Sequence, residues 1–383
     1  MRINHNIALV FTLTLILAAC GDQTGSAEKS TTATSESTPA SAETTTAMES
    51  CDRNCIIDVT NSYISALVAH DPGAAPLADN VHFVENVKAM KPGEGLWQSV
   101  KTGPSNFQIY VPDEVNQTAG YLGMMTYMAT PPAPPGTPPE ERAKLAASTE
   151  KTEQPVLVAI RLKLENGKIT EAEHLLATIR KPDPDNAQAA ANNRPSPWDN
   201  LQTPRSGLVT EIPADQRMDH DKLIKIGASY YDALDDNDGT LMPFAADCER
   251  HENGMVTAGP DAGPGPMGPS PHPIARDCAG QLSSKVMTYI TRIDDRRVFA
   301  ADPVTGLVMG LSHFRHPMDF PPYEVTAMDG TKIMYTRDNQ MKFAPFDLPA
   351  AHIFKIGADG EVHEIEAMGF ATPYNSPTGR ENW

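Results

Sequence analysis

The sequence has few basic residues and lacks the compact catalytic motifs that identify several large enzyme classes. It contains 31 Lys and Arg against 49 Asp and Glu, which gives a formal net charge of −18. A surface of this sign repels nucleic acids and anionic lipid headgroups, so nucleic-acid binding is excluded. The GxSxG, HExxH, P-loop and dinucleotide-binding patterns are missing, which argues against a serine hydrolase, a metalloprotease and a kinase. We therefore expect no cofactor.

The apolar run at the start of the chain is too short to span a bilayer, which takes about 20 residues. This run, Ile7 to Leu17, follows a basic residue and leads into Leu17-Ala18-Ala19-Cys20. Small residues before a cysteine resemble the lipobox of bacterial lipoproteins, which implies a signal peptide at residues 1–19 and acylation of Cys20. Gly21 rather than aspartate follows, which by the same resemblance implies the outer membrane, facing the periplasm. An ordinary signal peptide cleaved nearby is the alternative.

Residues 20–50 separate this anchor from the rest of the chain. Ser, Thr, Ala and Glu dominate the segment, and Met48 is its one large apolar side chain. Such a composition cannot bury enough apolar surface to offset the chain entropy lost on folding. The segment is predicted to be a disordered tether, and membrane contact is expected through the lipid anchor only.

Self-similarity is the strongest signal in the remaining sequence. Residues 63–86 align without a gap to residues 230–253, at a constant offset of 167 positions. Further on, the run that begins at Gly120 is aligned with the run that begins at Gly306. Two copies of one domain are therefore predicted, each large enough for a core of its own.

The boundaries of these two copies follow from where the matches begin and end and from a stretch rich in Pro, Asn and Ala between them. We call the two domains the first half and the second half. The predicted boundaries are 51–181 for the first half, 182–215 for the linker, 216–376 for the second half and 377–383 for a tail.

Apart from Cys20, four cysteines remain. An even number in an exported protein suggests two disulfides, for which three connectivities exist. We favour Cys51–Cys55 and Cys248–Cys278, because each pair lies within one half. Zinc is the less favoured interpretation, since no CxxC pair occurs and no histidine lies at ligand spacing beside these cysteines. No metal site is expected.

Apolar periodicity predicts a helix at the start of each half and a hairpin near the end of the first. Helical spacing runs from Cys51 to Ala69 and from Met218 to Leu234. Residues 156–164 alternate in the manner of a strand, and Asn166-Gly167 predicts the turn to a second strand. With a three-residue loop, Arg161 opposes Glu171 and Val158 opposes His174, whereas a two-residue loop would place Leu162 opposite Glu171. We prefer the first, because it pairs opposite charges and keeps the apolar face apolar. His174 then points into the apolar face of the sheet.

Several sequence blocks carry a resemblance to a known fold. They are residues 63–71, 85–86, 93–97 and 162–174 in the first half, and 248–254, 289–297, 316–317 and 373–374 in the second. They resemble the SnoaL-like, or nuclear transport factor 2-like, superfamily, and more narrowly a secreted family of tandem SnoaL-like domains of undefined function. The resemblance implies an α+β fold of two cone-shaped domains, each a curved antiparallel sheet wrapped on N-terminal helices. The two cones are expected to pack on each other as a pseudo-dimer.

Members of this superfamily act as dehydratases, isomerases, cyclases or ligand binders, so the fold alone selects no function. A cone of this kind needs a proton carrier among apolar walls. In the first half the candidate is His174, with Glu85 and Tyr63 as partners; a hydrogen-bonded core histidine without chemistry is the alternative. Because His174 aligns with Ala367, the two halves cannot share this group.

The candidates in the second half are different residues. Glu252, Arg292 and His316 belong to a set of charged and imidazole groups that suits a substrate carboxylate or enolate. The alternatives are a surface ion-pair network that includes Arg296 and Arg297, and a role for Glu252 in fixing a turn.

Three functions are consistent with these features. The first is a periplasmic dehydratase, isomerase or lyase that uses general acid–base chemistry on a small apolar or carboxylate-bearing molecule. The second is a non-catalytic ligand-binding lipoprotein, and the third is an envelope-interaction lipoprotein.

Overall fold

The computed structural model of the protein describes residues 50–133, 139–182, 195–260, 262, 270–381 and 383. The predicted signal peptide, Cys20 and all of the tether up to residue 49 lie outside these residues, as do residues 183–194 of the predicted linker. No helix within the described part is long and apolar enough to cross a membrane. The fold is mixed α+β, with two seven-stranded sheets and few helices.

The first half forms one seven-stranded sheet beside a long helix. Its strands are ordered β2-β1-β7-β6-β5-β3, with β4 also paired to β5. Neighbouring strands are antiparallel except β1 and β7, which are parallel. The elements are α1 (Arg53–Val68), a 3₁₀ turn (Pro72–Ala74), β1 (Leu77–Glu85), β2 (Lys88–Met90), α2 (Leu96–Ser99), β3 (Val100–Thr102), β4 (Gln108–Asp113), β5 (Thr118–Ala129), α3 (Pro139–Ala146), β6 (Thr152–Glu165) and β7 (Lys168–Thr178).

The second half repeats this plan. Its strands are ordered β10-β11-β14-β15-β8-β9, with β16 also paired to β14 and with β8 parallel to β15. Two further strands, β12 and β13, pair only with each other. The elements are α4 (Pro197–Asn200), α5 (Ser206–Val209), a 3₁₀ turn (Ala214–Gln216), α6 (His220–Asp235), a 3₁₀ turn (Gly239–Leu241), β8 (Phe244–Glu252), β9 (Met255–Ala258), α7 (Cys278–Ser283), β10 (Arg292–Asp302), β11 (Leu307–His316), β12 (Tyr323–Thr326), β13 (Lys332–Tyr335), β14 (Phe346–Ile356), β15 (Val362–Gly369) and β16 (Thr372–Pro373).

Both long helices begin at an aspartate that caps the first turn. The side chain of Asp52 accepts a hydrogen bond from the Cys55 amide, and that of Asp219 accepts one from the Lys222 amide. An N-cap of this type contributes about 1 kcal/mol by satisfying an amide that has no partner within the helix. The two caps stand 167 positions apart, so the sequence offset extends to the start of each half.

Each sheet is apolar on both faces, which we call inner and outer. The inner face packs on the long helix, α1 in the first half and α6 in the second. The outer faces of the two sheets contribute to one shared apolar cluster, which includes Leu157 and Leu175 from the first half and Met309 and Ile353 from the second. Burial on both faces explains why strand β6 is almost continuously apolar.

Reciprocal polar contacts accompany this shared cluster. Arg53, at the start of α1, binds Asp302 at the end of β10 with a shortest N–O distance of 2.9 Å. His220, at the start of α6, binds Asp113 at the end of β4, and its Nε2 lies 2.8 Å from the carboxylate oxygen. Each aspartate ends the corresponding strand of its half, so the same kind of contact is made in both directions.

The structure corrects one part of the internal alignment. Asp113 and Asp302 end corresponding strands, and each precedes a four-residue turn into the next strand. Gly306 therefore corresponds to Gln117, and both have a left-handed backbone with φ of 67° and 49°. The predicted match of Gly120 with Gly306 is wrong by three residues, because Gly306 serves a turn whereas Gly120 lies within β5.

The predicted hairpin register is also wrong, by two residues. Asn166-Gly167 is a two-residue loop, and the register shifts between Leu164 and Lys163 so that Thr170 is an extra residue. As a result Arg161 opposes Glu173 and Ile160 opposes His174. A shift of two residues preserves which face each side chain occupies, so the prediction that His174 points into the inner, apolar face is correct.

The two predicted disulfides are confirmed. Cys51 is bonded to Cys55, and Cys248 is bonded to Cys278. The second bond has a clear architectural consequence, because it joins β8 to α7 and fixes that short helix at the edge of the inner face.

Candidate functional site

Three of the predicted residues meet at the inner face of the first half. The Tyr63 hydroxyl donates to His174 Nε2 at 3.0 Å, and His174 Nδ1 donates to Glu85 at 3.2 Å. Both oxygens of Glu85 also lie 3.0 Å from the Leu96 amide, which opens helix α2. Glu85 and His174 are adjacent because β1 and β7 pair in parallel with these two residues in register.

This chain of hydrogen bonds is sealed from solvent. The exposed fractions are 0% for His174, 1% for Tyr63 and 6% for Glu85. Burial raises the pKa of Tyr63, which keeps its hydroxyl protonated. The three residues form a buried network whose polar groups are hydrogen-bonded to one another and to the Leu96 amide.

The corresponding place in the second half has different side chains. Glu252 pairs in register with Ala367, as Glu85 does with His174. The imidazole lost at Ala367 reappears on the neighbouring strand, because His352 of β14 lies directly opposite Ala367. In the first half that position is Ile160, opposite His174.

Arg250 is a second difference, and it occupies the position of Phe83 at the same offset of 167. Its exposed fraction is 8%, and all three of its side-chain hydrogen bonds are to neutral groups. It donates to the Thr257 hydroxyl at 2.9 Å, to the Tyr230 hydroxyl at 3.1 Å and to the Gln281 amide oxygen at 2.8 Å. Gln281 belongs to α7, the helix that the Cys248–Cys278 bond fixes.

Two neutral histidines border this region. His352 lies among Tyr230, Tyr231 and Phe354, with ring centroids 5.1 to 6.0 Å from its own. Burial, reinforced by the charge of Arg250, lowers the pKa of His352 to about 3. His316 stacks on Phe346 at 4.2 Å, and burial lowers its pKa to about 4. Its Nδ1 atom has no hydrogen-bond partner among the described residues.

These two histidines predict a pH dependence of stability. Their folded pKa values lie below the usual value of about 6.5, so between pH 6.5 and 4 the unfolded chain binds protons that the folded chain does not. The stabilisation is present above pH 6.5 and is lost as the pH falls, by up to about 1.4 kcal/mol per pH unit for each group. Urea unfolding of a His352→Gln variant should give a flatter decline in this range. The same change at exposed His82 should leave the slope unchanged, and parallel curves for both variants would refute the assignment.

The remaining sequence candidates lie elsewhere. Arg292 is exposed and pairs with Asp294 at 2.7 Å, and Arg296 pairs with Asp232 and Asp235 of α6. The surface ion-pair interpretation thus describes Arg292 and Arg296. Arg297 instead reaches across to the first half and binds Glu173.

A groove of about 410 Å³ on the outside of the second half belongs to the attachment of the linker. Lys355 lines it, but its Nζ atom already donates to the carbonyls of Thr210 and Thr305. Nearby, Arg205 pairs with Glu249, Glu364 and Glu366 at 3.3 to 3.5 Å. These contacts fasten residues 205–210 to β15. Within the described residues, no group of three or more His, Cys, Asp or Glu side chains is arranged to hold a metal ion.

Sequence reasoning missed Arg250 and His352. The sequence alone could have identified Arg250, because the ungapped offset that aligns Glu85 with Glu252 also aligns Phe83 with Arg250. His352 was not, because its position opposite Ala367 depends on the pairing of β14 with β15.

Comparison with known families matches residues 216–369 to a family model described as a domain of unknown function, DUF8021. The match covers most of the second half and less than half of the whole chain. No curated protein matches the chain.

Solved structures similar to this chain include proteins described as SnoaL-like and ketosteroid isomerase-like. A SnoaL-like polyketide cyclase from Shewanella putrefaciens is 13% identical, with 32% of this chain and 88% of that chain covered and a TM-score of 0.23. A polyketide cyclase from Xanthomonas campestris is 13% identical, with 39% and 98% covered and a TM-score of 0.24. A ketosteroid isomerase-like protein from Catenulispora acidiphila, in complex with trimethylamine, is 13% identical, with 36% and 98% covered and a TM-score of 0.21. At these values the chain is similar to such proteins in part of its length, and the similarity carries no argument about its activity.

Proposed function

We propose that the protein is a periplasmic lipoprotein that binds a small molecule at the inner face of its second half. There it acts as a cofactor-independent dehydratase, isomerase or lyase that uses general acid–base chemistry. The first half supports the second and carries no reaction of its own.

The observation that supports this proposal is that two corresponding glutamates, Glu85 and Glu252, differ in exposure and in hydrogen bonding. Glu85 is buried and held by His174 and by the Leu96 amide, so its lone pairs are used within the protein. Glu252 is partly exposed and lies on the same face of β8 as Arg250. A carboxylate that solvent reaches beside buried polar groups is suited to accept a proton from a bound molecule.

The groups around Glu252 supply hydrogen-bond donors that complement this role. Tyr230 accepts from Arg250, which leaves its own O–H free to donate. His352 is neutral at physiological pH, and a neutral imidazole can polarise a carbonyl oxygen through its N–H. With Glu252 as the base, these donors would stabilise the enolate that forms when a proton is removed next to a carbonyl.

The envelope location and the arrangement of the halves are part of the same proposal. Signal peptide 1–19, acylated Cys20 and tether 20–50 would hold the folded part at the outer membrane, and the domain boundaries are those given by the sequence. The reciprocal pairs Arg53–Asp302 and His220–Asp113 support a pseudo-dimer, because a two-fold interface makes each contact in both directions.

Proton exchange tests the proposed chemistry. The full mature chain is incubated in D₂O with a panel of small carbonyl compounds that includes 2-oxobutyrate and cyclohexanone, and loss of the α-proton is followed by NMR. We expect Glu252→Gln to slow the exchange at least about 100-fold, since a positioned general base contributes about 10²–10⁴.

The matched control is Glu85→Gln, the same change at the corresponding position of the first half. It should leave the exchange rate unchanged, because Glu85 is sealed from solvent. Equal losses in both variants would refute the assignment to the second half. Absence of exchange in the wild-type protein across the panel would refute catalysis and favour a non-catalytic ligand-binding lipoprotein.

A further inference from the structure

We infer that the site in the second half recognises its ligand as a small organic carboxylate, bound by the Arg250 guanidinium. This inference rests on the proposed function and adds the chemical class of the ligand to it. It depends on the state of Arg250, on the charges that face it and on the side chains that surround it.

Arg250 is a buried cation whose hydrogen-bond partners are all neutral. This guanidinium is more than nine-tenths buried, and its hydrogen bonds within the described residues go to neutral groups, while Glu252 acts on it through its charge without a hydrogen bond. Thr257, Tyr230 and Gln281 use three of its five N–H donors. A buried cation with neutral partners is unfavourable unless an anion approaches it. A planar carboxylate matches the donors that remain.

The charges around Arg250 sum to a positive value. Arg276 is half-buried and lies just before α7. Burial lowers its pKa most, and the nearby charge of Arg250 lowers it further. Its Nε atom has no hydrogen-bond partner among the described residues. Glu252, on the same face of β8, is close enough for its charge to act on Arg250, and His316 and His352 are neutral. Two cations and one anion leave one positive charge, which a single carboxylate would neutralise.

Aromatic side chains surround this region and favour a carboxylate with an apolar body. Tyr289 stacks with His316, which stacks in turn on Phe346. Phe314 lies beside His352, with ring centroids 5.8 Å apart. Glu252, Tyr289 and Phe346 are partly exposed, so solvent reaches the edge of this group at the proposed base.

The first half serves as an internal comparison. Where the second half has Arg250, the first half has Phe83, whose ring packs on His174 at 4.9 Å. At this position the first half therefore offers no cation to an anionic ligand. Carboxylate recognition is a property that the two halves do not share, although their strands are ordered in the same way.

The experiment compares phenylacetate with its uncharged analogue phenylacetamide, by calorimetric titration of the full mature chain. We expect saturable binding of phenylacetate and at least about 10-fold weaker binding of the amide, which keeps the shape but not the charge. Arg250→Gln should weaken phenylacetate binding by about 10–100-fold, and Arg250→Lys should lose less because it keeps the charge without the planar pair of donors. Arg292→Gln, at an exposed and paired arginine, should bind as the wild type does.

Equal affinity for the acid and the amide, or no binding of the acid at millimolar concentration, would overturn the inference. Melting temperatures of all variants are measured alongside; if Arg250→Gln does not fold, the Arg250→Lys titration decides. Failure of the proposed function looks different. If phenylacetate binds but no carbonyl compound exchanges its proton, the proposed catalysis is refuted and the carboxylate site is supported. If protons exchange but the acid binds no better than the amide, the carboxylate site is refuted and the proposed catalysis is supported.

Discussion

Replacing Glu173 with alanine should destabilise the protein by about 3–5 kcal/mol, the largest effect that we expect from a single substitution. Glu173 lies on the outer face of β7 and is 5% exposed. Arg297 of the second half binds it through two donors at 2.6 and 2.8 Å, and Arg161 binds it at 2.9 Å. Arg380 approaches it at 3.4 Å. Removal of this carboxylate would leave several guanidinium groups in a poorly hydrated space without their main counter-charge.

Urea unfolding of the full mature chain measures this effect. A double-mutant cycle with Arg297→Ala would separate the contact across the halves from the contact with Arg161, since coupling energy appears only for groups that interact. The control is Arg292→Ala, which breaks an exposed pair with Asp294 and should change stability by less than about 0.5 kcal/mol. A loss below about 1 kcal/mol for Glu173→Ala would show that water replaces the missing carboxylate and that the network does not couple the halves.

The local part of this structure could be read from the sequence because no insertion interrupts it. From the N-cap to the end of the first strand, helix, turn and strand follow at one offset, so Asp52 and Asp219 begin the two helices and Glu85 and Glu252 end corresponding strands. Local hydrogen bonds decide these features, and the sequence carries their signals in order.

The features that the sequence did not reveal are those that depend on strand pairing. The match of Gly120 to Gly306 failed because a turn glycine and a strand glycine look alike without knowledge of the turn length. The hairpin register failed because Thr170 adds one residue after a two-residue loop, and nothing in its side chain marks the bulge. The face assigned to His174 survived the hairpin error, since a slip of two residues preserves the alternation of side chains along a strand.

The candidate site shows the same limit. Tyr63, Glu85 and His174 were chosen together and do meet, but their burial came only from the structure. In the second half the imidazole lies on β14 instead of β15, and a comparison of sequence positions reports this only as the loss of a histidine at Ala367. A side chain supplied from a neighbouring strand can occupy a similar position in space, although its residue no longer aligns in the sequence.

The second large effect concerns the disulfide between Cys248 and Cys278, which encloses far more chain than the other. The two cysteines are 30 positions apart, whereas Cys51 and Cys55 are 4 apart. Since a cross-link limits the unfolded chain more when the loop is longer, the double change Cys248→Ala/Cys278→Ala should cost about 3–4 kcal/mol. The double change Cys51→Ala/Cys55→Ala is the matched control, and the same relation gives about 2 kcal/mol for it. Urea unfolding of both variants measures the difference.

Only the first of these variants should also affect the proposed site. Cys248 precedes Arg250 on the same face of β8, and Cys278 begins the helix that carries Gln281. Without the bond, α7 is free to move away from β8, and Arg250 loses a fixed partner. Phenylacetate affinity should therefore fall in the Cys248/Cys278 variant and stay unchanged in the Cys51/Cys55 variant, under conditions where both are folded. Equal affinity in the two variants would show that the position of α7 does not depend on the disulfide, and that Arg250 is held by the sheet alone.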